Sequence, residues 1–314
     1  MKPNVLVICG PTASGKTALS VELARMFGGE VVSADSMQIY RRMDVGTAKP
    51  TPEEMRGIPH HMIDVADPEE NFSVARYVSM AIPIVDDILS RGRLPIIAGG
   101  TGLYIDNLIA GREFAPFEED GALREELQTR AKAEGLPVLL AELRSVDPAA
   151  AARLHPNDEK RIIRALEVYL STGKTITRHN EETKALPARY TPLTIALNFR
   201  ERLHLWQRID RRVDEMMENG LEEEVRRLLA DGVPADCTAM QAIGYKEMAA
   251  AIADGRPIGE GVEEVKLRSR QYAKRQLTWF RRNSSANWHL WEENPDFSAA
   301  VAFSTKLVTA CGLQ

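Results

Sequence analysis

The chain of 314 residues is long enough for two modest domains, or for one domain carrying an insertion. With 44% hydrophobic and 27% charged residues it is no disordered chain, and no apolar run approaches the roughly 20 residues of a membrane span. Its net charge of −5 argues against a uniformly basic surface for nucleic acid.

In chain order, Val5–Cys9 is a continuous apolar run closed by Gly10, which reads as a buried strand rather than a signal peptide. Lys16–Met26 repeats apolar residues at helical spacing and stops at Gly28-Gly29; Glu30–Ala34 is a second short strand. Val74–Leu89 is a helix with Asn71 or Ser73 as cap, Gly92 beyond its end and Pro83 as a possible kink. Leu94–Ala98 is a third buried strand, closed by Gly99-Gly100. Strands separated by helices imply a parallel, doubly wound sheet.

From about Arg112 the strands cease. Helical stretches run over Leu123–Glu134, Val138–Ser145 and Asp158–Ser171, with turns at Asp147-Pro148 and Pro156-Asn157 and Asn157 as a candidate cap. Thr194–Leu197 resumes the sheet. Arg200–Asn219, Leu221–Ala230, Gln241–Ala253 and about Val262–Arg282 complete a helical remainder. The expected fold is α/β: a P-loop-type doubly wound parallel sheet over 1–112 and 193–314, with an all-helical insertion over 113–192. The final long helix carries Lys266, Arg268, Arg270, Lys274, Arg275, Arg281 and Arg282 without an acid among them. Acids gather elsewhere, at Glu118-Glu119-Asp120 and Glu222-Glu223-Glu224, so an acidic chain can still present one strongly positive face. Three scattered cysteines, Cys9, Cys237 and Cys311, are too few for a disulfide framework or zinc cluster and fit a reducing cytoplasm.

Gly10-Pro11-Thr12-Ala13-Ser14-Gly15-Lys16-Thr17 matches G-x-x-x-x-G-K-[ST] between a predicted strand and a predicted helix. Such a loop turns successive amides toward phosphate oxygens, with Lys16 reaching a terminal phosphate and the Thr17 hydroxyl available to Mg²⁺. A kinase would place an apolar strand ending in Asp to hold that metal. Here the third strand ends in Gly-Gly-Thr, and the acid after a strand is Asp35. The residues alone leave a small-molecule or nucleotide kinase open. His60-His61 lacks a third ligand at metal-binding spacing.

The series GPTASGKT, SADSMQIYRRMDVGTAKP, HHMIDV, AGGTGLY, PNDEKRIIRALEVY and AIGYKEM closely resembles the tRNA dimethylallyltransferase family in its bacterial form, over Val5 to about Arg282. The resemblance implies that the loop holds the diphosphate of dimethylallyl diphosphate instead of ATP. It further implies transfer of the isoprenyl group to the N6 amine of adenine 37 beside the tRNA anticodon. A close cousin that prenylates free AMP, ADP or ATP is a second alternative, after the kinase. By resemblance Asp35 matches the general base, although an Asp there could also cap a turn. Ser36, Met37 and Gln38 match the part that meets the target base. Arg212 matches an arginine reaching the diphosphate, with Arg208 on the same helix face. Thr101 matches a residue near diphosphate and tRNA, and could equally be an N-cap.

Lys160, Arg161 and Arg164, and the segment Gln241, Ala242, Ile243, Gly244, Tyr245 and Lys246, match tRNA contacts; Arg124 lies near another. Lys274 and Arg275 join them from the charge of the last helix. Tyr272, Trp279 and Phe280 could stack on splayed bases, or, for the last two, pack the core. Expected partners are the tRNA anticodon stem-loop, dimethylallyl diphosphate and Mg²⁺, with the protein acting as a monomer away from membranes.

Overall fold

The computed structural model describes residues 4–112, 121–185 and 187–313. The acidic run Glu118-Glu119-Asp120 lies outside them. The chain divides into two units, Met1–Gly111 with Arg189–Gln314, and Arg112–Ala188. The second ends before residue 192 because the chain has already rejoined the first. Tyr190 is buried there with its hydroxyl on Asp86 at 2.7 Å, and Thr191 N donates to Asn4 Oδ1 at 2.8 Å.

In the first unit, β1 (Val5–Cys9) leads through the glycine loop into α1 (Lys16–Phe27), followed by β2 (Glu30–Ser33). A single turn, α2 (Pro52–Met55), is closed by a Thr51–Glu54 capping box. Next come the short β3 (His60–His61) and α3 (Val74–Ser90). The Ser73 side chain accepts from Arg76 N and starts α3, which runs through Pro83. β4 (Pro95–Gly99) and α4 (Gly102–Ala110) complete this half.

The described residues of the second unit are helical: α5 (Gly121–Glu134), α6 (Leu136–Val146), α7 (Pro148–Arg153), α8 (Glu159–Thr172) and α9 (Ile176–Ala185). The turn at Pro156-Asn157 is present, but one turn and one cap of the sequence reading need correction. Asp147-Pro148 starts α7, since the Asp147 carboxylate accepts from Ala150 N at 2.9 Å and Pro suits a first helical turn. Asp158, not Asn157, caps α8 by accepting from Arg161 N. Leu127, Leu139, Leu143, Ile162 and Leu166 form the core of this unit.

The chain returns as β5 (Pro192–Phe199), then α10 (Arg202–Glu218), α11 (Leu221–Ala230), a 3₁₀ turn (Ala239–Gln241), α12 (Tyr245–Ala253) and α13 (Ile258–Phe280). Sequence reading missed β6 (Asn287–Trp291) and α14 (Phe297–Cys311). β6 is an edge strand in which only Trp291 is fully buried, so it has no clean alternation of apolar and polar residues. Ala and Ser positions blur the apolar stripe of α14 in the same way.

Six parallel strands run in the order β3-β2-β4-β1-β5-β6. Leu6 and Ile8 of β1 share one core with Leu19 and Leu23 of α1, Leu205 and Ile209 of α10, Leu277 of α13 and Val308 of α14. This order sets the carboxyl ends of β2, β4 and β1 side by side, where open parallel sheets bind ligands.

Candidate active site

β1 delivers the phosphate loop. Gly10 has φ +151°, and a Cβ there would lie 2.5 Å from Leu197 O, so only glycine lets the loop leave the strand against β5. Gly15 (φ +85°) and Ala13 (φ +61°) complete the curl. Distant side chains then fix the outward backbone. Arg208 Nε donates to Ala13 O at 3.2 Å, Trp291 Nε1 to Ser14 O at 2.9 Å, and Thr12 N to Gln276 Oε1 at 2.9 Å. Lys16 Nζ folds back onto Pro11 O at 2.7 Å.

Lys16 and Arg212 are half-buried. Burial, then the neighbouring Arg212 cation, lower the Lys16 pKa to about 8, against an opposing pull from Asp35. Burial likewise lowers Arg212, again with Asp35 opposing. Among the described residues Arg212 has no hydrogen-bond or ion-pair partner. Two cations crowd together with one carboxylate near them, an arrangement that an anion of two or more charges would relieve.

β2 delivers that carboxylate. Asp35 follows it, half-buried, and its Oδ1 accepts from Met37 N at 2.9 Å. The turn-capping role is therefore real, and the second oxygen is not used in it. β4 contributes the third turn. Thr101 occupies the N-cap position of α4 without a side-chain capping bond. Instead its hydroxyl accepts from Ser36 N at 3.0 Å and donates to Ser36 Oγ at 3.2 Å, tying the Gly-Gly-Thr turn to the Asp35 turn. Burial, then the Asp35 charge, push the Tyr272 phenol up to about 12, with Thr101 and Gln276 as hydrogen-bonding neighbours.

Gln38 is committed internally. Its Oε1 accepts from Ser33 Oγ at 3.2 Å and its Nε2 faces Ala48 O at 3.2 Å, so it shapes the loop that follows Met37. That loop hangs on Glu224, which is 2% exposed and which no motif marked. Its carboxylate accepts from the amides of Asp44 (2.9 Å), Val45 (3.0 Å) and Gly46 (3.2 Å) and from the Tyr245 hydroxyl at 2.5 Å. Lys49, its side chain 7% exposed, closes the loop on Tyr40 O (2.9 Å), Asp44 (2.5 Å) and Asp64 (2.6 Å).

The segment from Gln241 to Lys246 consequently divides. Ala242, Gly244 and Tyr245 are buried, and Tyr245 serves the loop rather than the surface, which corrects its reading as a contact side chain. Gln241 and Lys246 are exposed and Ile243 is half-buried.

In the helical unit Lys160 and Arg161 are exposed, Arg161 with Asp158 at 3.2 Å. Arg124 and Arg164 both converge on the buried Glu167 at 2.9 Å, so each also holds α5 or α8 in the unit's core.

The acid-free run of α13 is less isolated than its sequence suggests. Lys266 pairs with Asp214 at 2.7 Å, Arg270 with Asp210 at 2.6 Å and Arg268 with Glu264 at 3.3 Å. Lys274 and Arg275 are exposed and have no ion pair among the described residues, Arg275 lying 5.5 Å from the Tyr272 ring centroid. Phe280 is buried and Trp279 donates to Asp106 at 2.9 Å, so both pack. His60 Nδ1 lies 2.8 Å from Ile58 O and His61 Nε2 2.8 Å from Glu30. Among the described residues no group of three His, Cys, Asp or Glu could hold a metal ion.

A phosphate loop at the carboxyl edge of a parallel sheet, with two cations and one carboxylate converging on it, defines a group-transfer enzyme of the P-loop type. Residues 38–283 match the family described as IPP transferase, and the chain belongs to that prenyltransferase family. It is 48% identical over 298 residues to the tRNA dimethylallyltransferase of Thermoanaerobacter sp. strain X514, covering 95% of each chain. To that of Geobacter sulfurreducens it is 47% identical over 301 residues, 96% of each.

Among solved structures, the tRNA isopentenylpyrophosphate transferase of Bacillus halodurans superposes with a TM-score of 0.74 at 42% identity, over 99% of this chain and 97% of that one. A eukaryotic dimethylallyltransferase captured acting on tRNA gives 0.82 at 30% identity, over 98% of this chain and 79% of that one.

Proposed function

We propose that this protein transfers the dimethylallyl group of dimethylallyl diphosphate to the N6 amine of adenine 37, beside the tRNA anticodon, and releases diphosphate. Family membership supports the reaction class. The observation that carries the role of this site is the charge coupling of the loop's Lys16 to Arg212, a cation with no ion-pair partner among the described residues.

The adenine amine attacks the allylic carbon as the carbon–oxygen bond to diphosphate breaks, and the bonding pair leaves with the diphosphate. Its stabilisation falls to the loop amides, Lys16 and Arg212. The amine, weak because its lone pair is delocalised, loses a proton to Asp35 as the new bond forms. Thr101 and Ser36 hold the Asp35 turn against the Gly-Gly-Thr turn.

Mg²⁺ fits a donor set of the half-buried Thr17 hydroxyl, diphosphate oxygens and water, and would neutralise charge on the leaving group. In the first unit we assign the exposed Gln241, Lys246, Lys274 and Arg275 to tRNA, and in the helical unit, taken by itself, the exposed Lys160 and Arg161. Three free cysteines fit a cytoplasmic site of action, and no described helix is long and apolar enough to cross a membrane. We take the monomer as the acting form.

The test is to offer radiolabelled dimethylallyl diphosphate with tRNA, AMP and ATP in separate reactions. Label appearing in tRNA alone supports the reading; label in AMP or ATP points to the adenylate prenyltransferase. ATP turnover without prenyl transfer would establish a kinase.

A further inference from the structure

α13 turns Ala273, Leu277 and Phe280 inward, the spacing of one helix face. Gln276 sits in the same stripe and is 6% exposed. A buried amide is costly unless both of its halves are bonded. Both are: Oε1 accepts from Thr12 N at 2.9 Å, and Nε2 donates to Gly100 O at 2.9 Å. The fit is close, since a Cβ on Gly100 would stand 2.2 Å from that nitrogen. The Thr12 amide is spent on Gln276, so this contact is not one of the loop's phosphate bonds.

The two turns joined here belong to opposite halves of the reaction. Thr12 lies in the loop assigned to the leaving group. Gly100 precedes Thr101, whose hydroxyl accepts from Ser36 N beside Asp35. A continuous path therefore runs from the phosphate loop through Gln276 and the Gly-Gly-Thr turn to the carboxylate. β1 and β4 run into these turns at their carboxyl ends, and their ladder ends at the Cys9–Gly99 pair.

We propose that Gln276 is a positioning residue for the transfer, fixing the separation between the diphosphate loop and the turn that bears Asp35. It touches neither substrate. Its effect is on the alignment of the allylic carbon with the amine and with the proton acceptor, where a misplacement of about 1 Å can cost about 10²-fold in rate. The inference rests on the dimethylallyl-transfer reading above.

The test uses Gln276→Leu and Gln276→Glu in the full chain. Gln276→Leu keeps the bulk and removes both backbone bonds along with the contact to the Tyr272 phenol; kcat should fall about 10- to 100-fold. Affinities for tRNA and for a non-reactive thiolodiphosphate analogue of the donor should change little. In Gln276→Glu the carboxylate still accepts from Thr12 N but sets an oxygen against Gly100 O; the neighbouring Tyr272 phenol, pushed up to about 12, keeps its proton throughout the range tested. Protonation restores the missing donor, so activity relative to wild type should rise as pH falls, while the ratio for Gln276→Leu stays flat. Wild-type kcat in Gln276→Leu, or a pH-independent ratio for Gln276→Glu, overturns the proposal. So does a loss of rate matched by equal loss of both affinities. Should Gln276→Leu not fold, the pH ratio of Gln276→Glu decides. A wild-type protein without transfer activity would instead sink the underlying reaction assignment.

Discussion

Glu224 joins three backbone amides and one phenol at a position that no motif marks, and its removal has a calculable consequence. In Glu224→Ala the amides of Asp44, Val45 and Gly46 and the Tyr245 hydroxyl lose their acceptor together. A hydrogen bond to a charged group contributes about 1.5–3 kcal/mol, but water can reclaim the half-exposed amides. The Tyr245 hydroxyl is fully buried and has no such recourse. Together these give a loss of about 3–5 kcal/mol, a large share of the roughly 5–15 kcal/mol that stabilises a domain. Tyr245→Phe, which removes only the phenol's bond, should cost about 1 kcal/mol.

Urea titration of the wild type, Glu224→Ala, Glu224→Gln and Tyr245→Phe measures the series. Steady-state kinetics on the folded variants reports the loop, which follows Gln38 directly: the KM for tRNA should rise most. Glu224→Gln, with one acceptor oxygen left, should fall between the extremes. A Glu224→Ala protein within about 1 kcal/mol of wild type would refute the idea that this carboxylate holds the loop.

Asp35→Asn keeps the acceptor used by Met37 N, so it should fold normally and yet lose about 10²–10⁴-fold in kcat; single-turnover transfer checks this. The lowered pKa of Lys16 makes its amine neutral above about pH 8. kcat/KM for the donor should therefore be full below that value and fall as pH rises through it. In Arg212→Ala the limb should move to higher pH, because a cation that disfavours the lysine's charge is gone. Lys274→Glu with Arg275→Glu should weaken all tRNAs alike and flatten the salt dependence of binding by roughly 0.7–0.9 per lost phosphate contact. An unchanged salt slope would remove this face of α13 from the RNA surface.

Much of the molecule could be read in the sequence wherever one local pattern carries the information. β1, α1 and the loop between them follow from an apolar run, two glycines and a helical period. The split into a sheet unit and a helical unit follows from the disappearance of strand patterns after Arg112. β6 escaped because an edge strand with one fully buried residue has almost no pattern to show. The α13 charges misled for a different reason. Their partners Asp210 and Asp214 lie on α10, distant in sequence, so the strongly positive face read from the sequence is weaker at Lys266 and Arg270.

The site itself divides along the same line. Residues that meet ligands sit in short motifs at the strand ends, whereas those that hold them come from far along the chain. Arg208 from α10, Gln276 from α13 and Trp291 from β6 each fasten one backbone group of the phosphate loop. These bonds hold the loop in its curl, which limits the reorganisation left for the moment the diphosphate arrives. One signal of this was available in advance. Gln276 lies at a core-facing position of α13, between Ala273 and Phe280 on a face otherwise fit for apolar side chains. A buried glutamine there requires two partners, and the only backbone rich in unmatched groups near a carboxyl sheet edge is that of its turns. A polar residue that breaks the apolar stripe of a helix following such a sheet is therefore evidence about the active site, even when no catalytic motif contains it.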